Sequence, residues 1–174
     1  MIYKNITFKA DPFSYNLEFD DRITLVGGNS GTGKTVLYEM LEDLRLTNEY
    51  KAIKLFNYKS DNFSESIEQC RDSFIVVDNA DNLINDEVRR FINFEPSNQY
   101  MLFLRNCDGL NVSDKSFKVL KFDNNRITLE EELCIYGQKI PAQDFTSGNW
   151  LINFFLTMNL WLRVKGAIRV YWMH

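Results

Sequence analysis

The segment at 22–41, RITLVGGNSGTGKTVLYEML, constrains this chain more than any other, because it asks for a strand, a glycine turn and a helix in direct succession. An apolar run, Ile23 to Val26, leads into GNSGTGKT, and Val36, Leu37, Met40, Leu41 and Leu44 then recur at helical spacing. Gly28, Gly33, Lys34 and Thr35 satisfy G-x-x-x-x-G-K-[ST], the phosphate-binding or Walker A pattern. The eight residues that would wrap a polyphosphate are Gly28, Asn29, Ser30, Gly31, Thr32, Gly33, Lys34 and Thr35. The glycines permit positive φ, so that successive backbone N–H groups turn inward with no Cβ in the way. The start of the helix near Gly33 adds the partial positive charge of its N-terminus. Lys34 supplies a full charge for the β and γ oxygens, and the Thr35 hydroxyl is a ligand for Mg²⁺. The alternative is a chance match in a glycine-rich turn, and the strand before the motif and the helix after it weigh against that.

A second motif supports the first. Residues 74–78 read FIVVD, a continuously apolar, β-branched run of the kind a buried parallel strand shows, ending in Asp78. In open α/β sheets ligands bind at the carboxyl ends of strands, where Asp78 would hold Mg²⁺ through water. On its own such a run is common, and the alternative is an ordinary central strand with Asp78 or Asp81 capping the next helix. Its position 44 residues after Lys34 makes it a Walker B candidate.

The other elements alternate. Helices are expected over 33–46, 61–71 and 82–94, the last stopped by Pro96, and strands over 51–58, 99–105 and 117–122. The 117–122 run alternates like an outer strand, and 126–133 with 134–138 would add a further pair. Before the loop, Ile2, Ile6 and Phe8, then Phe13, Tyr15, Leu17 and Phe19, alternate in two runs separated by Asp11-Pro12. They read as an antiparallel pair leading into the first parallel strand.

The two motifs resemble those of P-loop NTPases of the ATPase branch, the group that holds AAA+, RecA-like and ABC-type proteins. The resemblance covers residues 20–122 and implies an α/β fold: a three-layer P-loop NTPase core with a mostly parallel sheet and an antiparallel N-terminal strand pair. It implies ATP and Mg²⁺ as cofactors. It also implies a polar sensor at the end of the QYMLFLR strand, which is Asn106, with Arg105 beside it as a charge stabiliser; the alternative is a turn, since Asn106-Cys107-Asp108-Gly109 has turn composition. No LSGGQ-like signature and no N-K-x-D for guanine follows the loop. ATPases of this branch place Glu directly after the Walker B Asp, whereas here the residue is Asn79, which can orient water but cannot accept its proton. Asp81 could act in its place through a water. The expected function is therefore ATP binding with slow Mg²⁺-dependent hydrolysis, or an ATP switch, with Lys34, Asp78, Asn79, Asp81 and Asn106 as the reacting set. A small-molecule kinase and a degenerate nucleotide-binding interaction module are the alternatives, and no compact arginine-rich lid stands out between Arg105 and Phe122.

Composition narrows the field. A net charge of −4 gives no domain-wide footprint for nucleic acid. The sole histidine is His174, which excludes His-based triads and His-ligated metals. Cys70, Cys107 and Cys134 are scattered and read as reduced, mostly buried thiols of a cytoplasmic protein; Lys4, Lys9 and Asp11 interrupt any leading apolar segment, so no signal peptide is expected. Residues 1–149 form the nucleotide-binding domain, and 150–174 a hydrophobic, basic tail with all three tryptophans. Its 13-residue apolar run at 150–162 is short of the roughly 20 residues a membrane span needs. Three readings stay open for it: a helix buried on the core or in a homo-oligomer interface, a surface for a membrane or protein partner, and a truncated or out-of-frame end.

Overall fold

The computed structural model describes residues 1–28, 31–105, 107–132, 134–135 and 138–139, the last four by backbone alone. Two N-terminal strands, β1 (Asn5–Ala10) and β2 (Phe13–Glu18), are followed by β3 (Ile23–Val26) and helix α1 (Lys34–Leu44). Then come β4 (Ile53–Phe56), α2 (Phe63–Glu68), β5 (Phe74–Val77), a 3₁₀ turn at Ala80–Asn82 and α3 (Asp86–Phe94). The chain continues as β6 (Gln99–Phe103), a 3₁₀ turn at Asp114–Ser116, β7 (Phe117–Asp123) and β8 (Arg126–Glu131), and a small hairpin pairs β9 (Cys134–Ile135) with β10 (Gln138–Lys139).

Strands β1 to β8 form one sheet in the order β1-β2-β8-β7-β3-β6-β5-β4. β3 lies parallel between β6 and β7, and β5 lies parallel between β4 and β6. The antiparallel joints are β1 with β2 and β7 with β8, while β2 runs parallel to β8.

Every residue of β3, β5 and β6 is buried, as continuously apolar strands require. Their alternate side chains feed two clusters. Val26, Phe74, Val76, Met101 and Phe103 meet Leu37, Tyr38 and Leu41 of α1, whereas Leu25, Ile75, Val77, Tyr100 and Leu102 meet Ile67 of α2 and Val88 and Ile92 of α3.

The outer strands explain the departure from the expected architecture. Ile6, Tyr15, Leu17, Ile127 and Leu129 alternate with exposed or half-buried neighbours, so each outer strand has one apolar face to bury. All five join the cluster that also holds Leu37, Tyr38 and Leu41 of α1. The result is mostly sheet, an eight-stranded curled half-barrel of mixed direction with few helices. The expected three-layer P-loop NTPase core with a mostly parallel sheet is thereby corrected. The helices have 11, 6 and 9 residues, too little to lay two full layers over eight strands. The N-terminal pair is antiparallel, but it lies at the far edge, separated from β3 by β8 and β7. β7 is likewise interior, between β8 and β3, instead of an outer strand.

One buried polar group ties the N-terminus to the centre. Gln99, fully buried on β6, accepts hydrogen bonds at Oε1 from the Ile2 and Tyr3 N–H groups and donates from Nε2 to the Tyr3 carbonyl, each at 2.9 Å. Tyr3 then packs edge-on against Phe74 of β5. Among the described residues no helix is long and apolar enough to cross a membrane. Residues 150–174 and their three readings lie outside the described residues.

Candidate functional site

The GNSGTGKT segment leaves the buried end of β3 and enters α1, which begins at Lys34 with Gly33 as its N-cap. Gly28, Gly31 and Gly33 have φ of 105°, 86° and 79°, a region that L side chains rarely occupy. The loop is anchored at its start, where the Gly27 N–H donates to the Lys118 carbonyl of β7 at 2.9 Å. Asn29 and Ser30 lie outside the described residues.

Lys34 reaches back over the loop. Its Nζ donates to the Gly28 carbonyl and to Thr32 Oγ1, both at 2.8 Å. An ammonium held by a carbonyl and a hydroxyl at the loop's centre is placed where an anion enclosed by the loop would need it. Gly28 is also closely packed, since a Cβ there would come to 3.1 Å from Thr32 Oγ1. Thr35 is exposed in the first turn of α1.

Asp78 follows the last residue of β5 and is buried. Its N–H donates to the Phe56 carbonyl of β4 at 2.9 Å, which fixes the two strand ends side by side. Burial raises the pKa of its carboxyl group, opposed by a hydrogen bond from the Asn79 backbone and by the charge of Lys34. The charge of Lys34 is thus felt at Asp78.

Asn79 adopts a left-handed conformation, φ 54° and ψ 44°, and caps the 3₁₀ turn at Ala80–Asn82 with its backbone; its side chain makes no capping bond and is exposed. Asp81 faces the end of β6, where its two carboxylate oxygens accept from the Arg105 N–H at 3.0 and 2.9 Å. Asn106 lies outside the described residues. Beyond it, the Leu110 N–H closes a turn on the Cys107 carbonyl at 3.1 Å, with Gly109 at φ 76°. Cys70 and Cys107 are free thiols, both half-buried.

Sequence reasoning missed several groups. Tyr38, one turn into α1, is buried; its phenol is pushed up to about 12, first by burial and then by the charges of Glu42 and Asp78, against the opposing effects of Arg45 and the Asn57 side chain. Lys118, in a strand read as peripheral, is buried with Nζ 2.5 Å from Asp20 and 3.9 Å from Glu131. Phe122 projects on β7 past the end of β3, and a Cβ on Gly33 would come to 2.9 Å from its Cζ. The helical period of α1 marks Tyr38 as inward-facing, but nothing in FKVLKF tells which strand it will neighbour.

Among the described residues no group of three or more His, Cys, Asp or Glu could hold a metal ion. A divalent ion at Thr35 and Asp78 would draw its other ligands from phosphate oxygens and water. The glycine conformations, the returned lysine and the buried carboxylate fit a magnesium–polyphosphate group. No protein-family model matches the chain, and no curated protein and no solved structure is detectably similar to it.

Proposed function

We propose that this protein binds a magnesium nucleoside triphosphate, with ATP the reference ligand, and hydrolyses it slowly or uses it as a switch. The observation that carries the reading is Lys34 Nζ, held 2.8 Å from both Gly28 O and Thr32 Oγ1 at the centre of the loop, with its charge partly offsetting the burial-driven rise in the pKa of Asp78. The unit needed is local: one strand, one loop, one helix and the end of the strand carrying Asp78. It does not depend on the sheet being flat or mostly parallel.

The loop N–H groups and the α1 N-terminus would receive the phosphates, Lys34 would turn from Gly28 O to the β and γ oxygens, and Thr35 and Asp78 would hold the ion. Magnesium supplies charge neutralisation on the β and γ oxygens when bound. Slow turnover follows from position 79, whose carboxamide orients water without accepting a proton. Asp81 is already engaged with the Arg105 N–H.

Titration calorimetry tests the reading. Charge-assisted hydrogen bonds are worth roughly 1.5–3 kcal/mol each, so Lys34→Ala should weaken Mg·ATP binding by about tenfold or more. Equal affinity in wild type and variant would sink the assignment.

A further inference from the structure

β7 and β8 form an antiparallel hairpin whose tip pairs Phe122 with Ile127 and Asp123 with Arg126. Because Val26, the last residue of β3, pairs with Lys118, the end of β7 stands beyond β3, alongside the phosphate loop. Lys118, Leu120 and Phe122 share a face of β7, and Leu120 packs on the cluster that includes α1. Phe122 carries that face past the cluster and up to Gly33.

The ring meets Gly33 tip first. A Cβ there would be 2.9 Å from Cζ and 3.7 and 3.8 Å from Cε2 and Cε1, so the ring points end-on at the backbone. Gly33 therefore covers neither ring face, and the side chain is 50% exposed. Val36, one helical turn from Gly33, is 49% exposed. An aromatic ring and an aliphatic side chain thus stand half in solvent beside a loop built for polyphosphate, while Leu37 and Leu41 of the same helix are fully buried.

We infer that Phe122 is the stacking platform for the purine base of the bound nucleotide, with Val36 flanking it. The inference rests on the nucleotide reading above and extends it to the base. Stacking of a base on an aromatic side chain is tolerant of base identity, so the platform selects a purine nucleotide over bare polyphosphate without choosing between adenine and guanine.

The test compares Mg·ATP with Mg·tripolyphosphate, which has the phosphates and no base, by calorimetry on the full chain. Phe122→Ala should weaken Mg·ATP about tenfold and leave Mg·tripolyphosphate within twofold. Phe122→Trp should keep the ATP affinity, and unchanged tripolyphosphate binding shows that the variants are folded. The inference is overturned if Phe122→Ala leaves ATP affinity intact or weakens both ligands alike. If the wild type binds tripolyphosphate as tightly as ATP, the phosphate site stands and the platform falls. If it binds neither, both fall together.

Discussion

Asp81, on the turn that follows β5, grips the backbone of Arg105 at the end of β6 through both carboxylate oxygens, at 3.0 and 2.9 Å. The contact joins neighbouring strands at the edge where Asp78 emerges. A carboxylate used in this way fixes the geometry of the site whether or not it also orders water. Asp81→Ala should lower stability by about 0.5–1.5 kcal/mol, the net worth of a hydrogen bond whose exposed Arg105 amide can turn to water instead. A urea denaturation series would read it. A variant with unchanged stability and abolished turnover would instead make Asp81 the acting base.

Asn79 is explained by its backbone as well as by its chemistry. Asparagine tolerates the left-handed region better than most residues, whereas glutamate has no local hydrogen bond to offset the strain. Asn79→Glu should cost roughly 1 kcal/mol in stability. If the missing carboxylate limits chemistry, the same variant should raise steady-state ATP turnover, since general-base assistance contributes on the order of 10²–10⁴-fold. A stable, no faster variant would contradict both halves of the argument.

Gly33 answers to two demands that a double-mutant cycle can separate. Its φ of 79° makes any L side chain strained, and the tip of Phe122 fills the space where a Cβ would lie. Gly33→Ala should lose about 1–2 kcal/mol from the backbone conformation alone, plus whatever the ring contact adds. In a Phe122→Ala background the second part disappears and the first remains. Additive losses, measured by thermal unfolding, would mean that the ring moves aside without cost.

The sequence exposed local order better than global shape. GNSGTGKT sat between a strand and a helix as the apolar spacing around it required, and FIVV became a fully buried strand with Asp78 at its end. Those features are set by neighbours in the chain. The curl of the sheet is not, because it depends on Ile6, Leu17 and Ile127 sharing a cluster with α1, and single-faced alternation does not say which partner a strand will face. The interior place of β7 was hidden for a related reason. Lys118 made FKVLKF look half-solvated, and its burial depends on Asp20, a residue 98 positions away.

Gln99 shows how one buried amide can hold a terminus. Replacing it with leucine removes three hydrogen bonds and leaves the Ile2 and Tyr3 groups that they satisfied without that partner. Gln99→Leu should destabilise the fold by about 3 kcal/mol, taking each net bond at roughly 1 kcal/mol. The midpoint of urea unfolding should fall with little change in slope. A shift smaller than a third of that would show that water or backbone rearrangement replaces the amide.

Asp78 sets binding against stability. Its folded pKa is raised above the ordinary 3.8 by burial, so between the two values the folded state holds more proton than the unfolded state. Stability from this group therefore declines as pH rises through that window, and at neutral pH the buried carboxylate is a burden on the fold. Asp78→Asn removes the charge while keeping the shape. The variant should be more stable than wild type at pH 7, and the gap should narrow as pH falls through the raised folded pKa of the wild-type acid. The same variant should lose the Mg²⁺ dependence of ATP binding, because an amide oxygen is a weaker ligand than a carboxylate for a hard cation. Thermal unfolding across pH, paired with calorimetry with and without Mg²⁺, checks both. A variant that is less stable at pH 7 would show that the Asn79 N–H and Lys34 outweigh desolvation, and that the aspartate is held there by the fold instead of by its ligand.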